Sequence, residues 1–199
     1  MTRASYTLSM KYQSNKASRA ENQQERLVKI GWIVGFVDGE GCFTVGFIKQ
    51  PDRPGRKGYK LGLQPYYEFA VTQGISSKDS LLALKEFFGV GQLYINKRYD
   101  NHKEHLYRYT VRRREDILNV IIPFFQKYQL QTQKRKSFEI FSQCMRMIAR
   151  GQHLKREGLI KILQLTENMN HKKRKSHLIR ILRNQTPKLK ISEMKPWAR

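Results

Sequence analysis

Apolar side chains recur at helical spacing from Glu25, where Leu27, Ile30, Val34 and Val37 share one side, until Gly41 stops the pattern. The period then changes to two. Phe43, Val45 and Phe47 alternate with Thr44, Gly46 and Ile48, which predicts a strand with one buried face. A turn cluster at residues 51–55 leads to a second strand over about residues 64–73. Ser76 or Ser77 is placed to cap the helix "KDSLLALKEFF", and Gly89 ends it. Two short strands follow, "GQLYINK" and "HLYRYTVRR", around a polar turn with Asp100 and Asn101. Helical spacing returns in "REDILNVIIPFFQKY", interrupted near Pro123, and in "TQKRKSFEIFSQCMRMIAR". The stretch "KREGLIKILQLTENM" predicts one more helix packed on the core. The order is αββαββα plus extra C-terminal helices. Short connections make the four strands antiparallel, so the class is α+β.

Residues 1–24 hold few large apolar side chains apart from Tyr6, Leu8, Met10 and Tyr12, and read as a loose polar arm. An ordered core is expected over residues 25–150, and a helical, basic extension over 151–199.

Charge changes the picture. Across 199 residues, 39 Lys and Arg stand against 16 Asp and Glu, a formal net charge of +23. Such an excess repels itself in a folded chain, and its common reason is a polyanionic partner, with nucleic acid first. Residues 170–199 alone carry ten Lys and Arg, including "HKKRK", against one Glu; such a run neutralises phosphates and does not read bases. The sequence contains no apolar run of about 18 residues and no signal-peptide pattern, so a soluble intracellular protein is expected, with no membrane partner. Cys42 and Cys144 are too few and too far apart for a zinc site and read as reduced thiols. The five His residues show no ligating spacing and none is assigned to metal.

In "IGWIVGFVDGEGCFTVGF", Gly31, Gly35 and Gly39 fall on one helical face at i, i+4, i+8. Glycine costs roughly 1 kcal/mol relative to alanine inside a helix, so three in register point to close approach by another helix. The pattern has no second copy in these 199 residues, and a second copy of the chain is the simplest partner. Two Glu40 carboxylates then meet near a twofold axis, an arrangement that needs positive charge between them. A hard divalent ion with carboxylate and carbonyl ligands meets that need. Read alone, Gly-Asp-Gly-Glu-Gly is an ordinary turn; the glycine register before it and the strand after it favour a site.

The segment "IVGFVDGEG", followed at once by an aromatic residue and a strand, resembles the LAGLIDADG motif of homing endonucleases, and the likeness extends over residues 25–150 and includes "VTQ" at 71–73. One motif in this length resembles the homodimeric, intron-encoded members. The resemblance implies a metal-dependent DNA endonuclease in which Glu40 is the metal-binding catalytic acid and Gly39 adds a backbone carbonyl. Gln73 stands where the family has a polar residue ordering water. The basic residue of a late helix falls in "LQTQKRK", where the resemblance points to Lys134 as the catalytic basic residue, with Gln131 also able to align there. Asp38 takes a structural, helix-terminal role. Magnesium is the implied cofactor, with manganese or calcium able to occupy the same site. Double-stranded DNA is the implied partner, and an organelle or a bacterial cytoplasm the implied compartment.

Strand parity predicts the DNA-reading face. Opposite the core positions Phe43, Val45, Phe47, Phe69 and Val71 lie Thr44, Gly46, Ile48, Gln64, Tyr66, Glu68, Ala70, Thr72, Tyr94, Asn96, Arg98, Leu106, Arg108, Thr110 and Arg112. A solvated strand face is the plainer reading of each. Tyr107 and Tyr109 read as packing. Two other functions suit the same charge: an intron RNA maturase on this scaffold, which needs no intact carboxylate, and a basic architectural protein, which leaves the glycine register and Glu40 without purpose.

Overall fold

A computed structural model of the chain describes residues 3–50, 54–97, 104–169 and 176–184, with side chains from residue 21 onward. Helix α1 runs Arg3–Glu40, so the expected loose arm is helical backbone. The reason is local: residues 3–24 contain neither Gly nor Pro, and a helix once nucleated propagates through such a stretch. The core side of α1 is Ile30, Ile33 and Val37, all buried. Leu27, expected there, is instead 55% exposed, and Val34 is half-buried.

Strand β1, Gly41–Lys49, follows α1 with no intervening loop. Only glycine permits that junction, because a Cβ on Gly41 would lie 2.6 Å from the Val37 carbonyl oxygen. Then come β2, Leu63–Gly74, a 3₁₀ turn at Ile75–Ser77 and helix α2, Lys78–Phe88. Gly89 ends α2 in the left-handed region, φ 66°, as its position predicts. The expected serine cap is absent: Ser77 makes no side-chain cap, and the Ser76 N–H donates to the Glu104 carboxylate at 3.1 Å. That bond holds the Glu104 carboxyl below the usual carboxylate range. Strands β3, Gln92–Asn96, and β4, Leu106–Val111, complete a four-stranded sheet in the order β1-β2-β4-β3. Both β2 and β3 pair antiparallel with β4. The expected α+β class and αββαββα order are therefore present.

The segment containing Pro123 is helical but not uniformly so. Helix α3, Arg114–Asp116, passes through a π-helical turn at Ile117–Ile121 into α4, Ile122–Lys127. Pro123 cannot donate to Asn119, and its ring crowds that carbonyl, so the preceding turn widens. Helices α5, Lys134–Ala149, α6, Arg156–Glu167, and α7, Ser176–Asn184, follow.

The chain divides into two compact units. Met1–Phe43 and Glu68–Arg135 form the first, whose aromatic core stacks Phe43 on Phe69 at 5.1 Å with Phe125 edge-on to both. Tyr109 is fully buried in it and donates its hydroxyl to the Val90 carbonyl at 2.9 Å. Thr44–Tyr67 and Lys136–Arg199 form the second, around Leu63, Leu159, Leu163, Leu178, Ile179 and Leu182. Within this second unit, α6 and α7 pack on Leu63 and Phe47 of the β1–β2 hairpin. Cys42 and Cys144 are not joined in a disulfide. No helix among the described residues is long and apolar enough to cross a membrane.

Candidate active site and nucleic-acid interface

Helix α1 delivers its last two residues, Gly39 and Glu40, to the surface. Among the described residues the Glu40 carboxylate forms no hydrogen bond or ion pair. Along the same helix, a Cβ built on Gly31, Gly35 or Gly39 would meet nothing within 4 Å. Val28 and Trp32 lie on this stripe by helical spacing and are 67% and 41% exposed. The glycine face is therefore uncovered by the described residues.

Behind the exposed tip, α1 and α5 exchange ends. Asp38 is buried, and its carboxylate accepts the Gln131 N–H at 2.8 Å, the Thr132 N–H at 3.0 Å and the Thr132 hydroxyl at 2.7 Å. In return, Lys134 Nζ donates to the Gly39 carbonyl at 2.8 Å and to the Val37 carbonyl at 3.1 Å. Each contact suits the helix that receives it: a carboxylate stands at the start of α5 and an ammonium at the end of α1, where the last carbonyls lack intrahelical partners. Burial pulls the Lys134 amine below the usual lysine range, against the opposing pull of Asp38, Cys42 and Glu40. Of the two residues that align at the basic position, Lys134 stands at Gly39, while the Gln131 amide turns to the Gln129 carbonyl at 2.8 Å. Gln73 is half-buried near the end of β2, paired across from Tyr107, and joins none of these groups by a hydrogen bond.

The positions that parity assigns to the proposed reading face differ in exposure. Ile48, Tyr66, Tyr94, Asn96 and Arg112 are exposed, and Thr44, Gln64, Thr72, Leu106 and Arg108 are half-buried. Gly46 is buried because the Tyr66 ring covers it, a pose that a Cβ would forbid. Ala70 and Thr110 are buried as opposed short side chains of one rung. Glu68 is buried because Arg108 and Arg112 both bind its carboxylate, Arg112 Nε at 2.6 Å. These four offer little side-chain surface on that face. Arg98 and the "HKKRK" run lie outside the described residues. Sequence reasoning missed both the Glu68 fork and the Lys134 contacts, since each joins residues 40 or more positions apart with no local signal.

The oxygens at the helix tip can be tested against a metal. Glu40 and the Gly39 carbonyl are hard donors, and that carbonyl already accepts from one cation, the Lys134 ammonium. Among the described residues no group of three or more His, Cys, Asp or Glu side chains could enclose an ion. One carboxylate and one carbonyl fit a hard divalent ion that retains waters and takes other ligands from phosphate; they do not fit a closed zinc centre.

A family profile described as LAGLIDADG endonuclease matches residues 33–145. A curated protein from Mycosarcoma maydis, "Probable intron-encoded DNA endonuclease 1", is 32% identical over 148 residues, which are 73% of this chain and 47% of the relative. The chain thus spans about half the length of that relative. The crystal structure of a homing endonuclease, I-TnaI, is 38% identical and superposes with a TM-score of 0.62, covering 77% of this chain and 95% of that one. I-SmaMI, solved bound to an uncleaved DNA target in the presence of calcium ions, is 30% identical with a TM-score of 0.64, covering 78% of this chain and 48% of that one.

Proposed function

We propose, from the premise that this chain belongs to the LAGLIDADG endonuclease family, that it is a site-specific double-strand DNA endonuclease acting as a homodimer. The observation that carries this reading is the Glu40 carboxylate beside the Gly39 carbonyl, exposed and without a partner among the described residues, at the tip of a helix whose glycine face those residues leave uncovered. A remnant acid in a pure RNA-binding maturase has no need of that exposure, and an architectural protein has no use for it. Two helices meeting at Gly31, Gly35 and Gly39 would bring two such tips together, one for each strand of a partly palindromic target.

Glu40 and Gly39 would hold the divalent ion, magnesium in the cell. Bound there, the ion supplies neutralisation of charge on the scissile phosphate and acidification of a water. Lys134 holds a fixed positive charge beside Gly39, and its bonds to the α1 carbonyls keep it from swinging away. Gln73 orders water at the strand end. The open sheet face receives the duplex, and exposed basic residues neutralise phosphates. The compartment follows the family: an organelle, or a bacterial cytoplasm.

A randomised duplex library incubated with the purified protein, in magnesium and in EDTA, tests this reading. Magnesium-dependent cuts at one partly palindromic site, leaving short 3′ overhangs, are expected. Tight binding to structured RNA with no cleavage of DNA would overturn it. Binding is also expected to fall on the order of 10³-fold between 50 and 200 mM salt, as counterions released by many phosphate contacts become costly to displace. A titration showing a flat salt response would exclude DNA as the partner. Gly35→Leu should block close helix approach, and sedimentation velocity should then report monomer; an unchanged dimer would refute the glycine interface.

A further inference from the structure

The Glu68 fork has no part in the chemistry above, yet it ties three charged side chains together on the sheet face. Its register explains its form. Arg108 pairs across from Thr72 on one side and Tyr94 on the other, and the next rung joins Ala70 to Thr110. Glu68 and Arg112 stand one residue beyond the last paired rung, Phe69 with Val111. To reach Glu68, the Arg108 side chain must cross the rung of Ala70 and Thr110, both buried and both short. Larger side chains there would block it. Arg112 reaches the same carboxylate from its own rung and lies 5.9 Å from the Tyr94 ring centre.

Each arginine is bound so that part of its donor fork remains. Arg112 gives Glu68 its Nε, leaving both terminal nitrogens, and its side chain is 62% exposed. Arg108 gives one terminal nitrogen, keeps its Nε buried without a partner, and is 38% exposed. Glu68 has both oxygens occupied and is buried, so it cannot accept from a base itself.

We infer that Arg108 and Arg112 are a preorganised pair of guanine readers and that Glu68 is the residue positioning them. A guanidinium with free terminal N–H groups matches the O6 and N7 acceptors of guanine in a major groove. A buried carboxylate removes the rotamer freedom that a lone exposed arginine would lose on binding. The geometry also sets the spacing. The two Cα atoms, four residues apart on a strand, are separated by roughly 13 Å. Both guanidinium groups nonetheless converge on one carboxylate, so their tips lie within about two base steps, at roughly 3.4 Å per step. Each half-site should therefore contain two guanines, on either strand, within two base pairs of each other.

This inference rests on the endonuclease reading, and the test separates them. The full chain is used to select binders from a randomised duplex library without magnesium, and preferences are read by sequencing. The wild type should select a site carrying the close guanine pair. Arg108→Ala and Arg112→Ala should each lower the preference at one of the two positions by on the order of 10- to 100-fold. Glu68→Gln should lower it at both, while affinity for nonspecific duplex and the salt slope stay as in the wild type. A merely structural role for Glu68 would move stability but not base preference at two defined positions. Retained guanine preference in the variants, or a uniform loss on all sequences with a shallower salt slope, overturns the inference alone and marks the arginines as phosphate contacts. A wild-type protein that selects no sequence overturns the endonuclease reading and this inference with it.

Discussion

Glu40→Gln is expected to lower DNA cleavage by at least about 10²- to 10³-fold, the scale on which removing a single preorganised electrostatic group acts, while fold and DNA affinity stay near those of the parent. The argument is one of charge at constant shape. Gln keeps the volume and one carbonyl oxygen, but it cannot balance a divalent ion at the end of a helix whose own terminus is electronegative. Because the Glu40 carboxylate holds up nothing else among the described residues, its replacement leaves no buried group unpaired. Thermal unfolding should move by no more than a surface substitution moves it, and gel-shift affinity on the selected site should be retained. A cleavage rate equal to the parent's would remove Glu40 from the chemistry. Parallel loss of binding and cleavage would make it structural.

Local signals carried the parts of this fold that are local. Gly41 and Gly89 mark the ends of α1 and α2, and "KDSLLALKEFF" spans the observed Lys78–Phe88 helix. Period-two alternation located the core side of β1 and β2 through Phe43, Val45, Phe69 and Val71, all buried. What stayed illegible depends on register or on distant partners. Glu68 has the composition of a base reader, and only the alignment that brings β4 beside it shows that two arginines consume its oxygens. Ser76 has the composition of a helix cap, but the carboxylate of Glu104, 28 residues later, supplies that acceptor. The side of α1 that faces the core was misread at Leu27 because helical spacing admits two overlapping stripes. Ile33 settles which one is buried. Of the candidate site, Glu40, Gly39 and Lys134 could be nominated from the motif and its resemblance, whereas the bonds from Lys134 to the Gly39 and Val37 carbonyls needed the turn before α5 to be seen.

That turn is the basis of the second large effect. Asp38→Ala is expected to destabilise the fold by about 2–4 kcal/mol, because two backbone N–H groups and a hydroxyl lose a charged acceptor; one unsatisfied buried group alone costs ~1–3 kcal/mol, and water reaching the exposed side of the turn limits the sum. Competing terms do not reverse the sign. A carboxylate at the end of α1 opposes that helix's dipole by about 0.3–1 kcal/mol, but the same carboxylate stands at the start of α5, where the dipole favours it by a similar amount. The two roughly cancel, leaving the hydrogen bonds to decide. Thr132→Val removes the hydroxyl's bond to Asp38 at 2.7 Å and its acceptance of the Lys134 N–H at 3.2 Å and should cost about 1–2 kcal/mol, and Asp38→Asn, which keeps one acceptor oxygen, should fall between it and Asp38→Ala. Denaturant unfolding of the three variants should therefore rank them in that order. The functional consequence runs through Lys134, two residues beyond Thr132. Once the turn is untied, its ammonium is no longer held at the Gly39 carbonyl, so cleavage by the folded fraction should fall even at low temperature. Asp38→Ala protein with the parent's unfolding midpoint would show that the exchange between α1 and α5 contributes nothing to the fold. A destabilised variant that cleaves at the parent's rate while folded would detach Lys134 from the reaction.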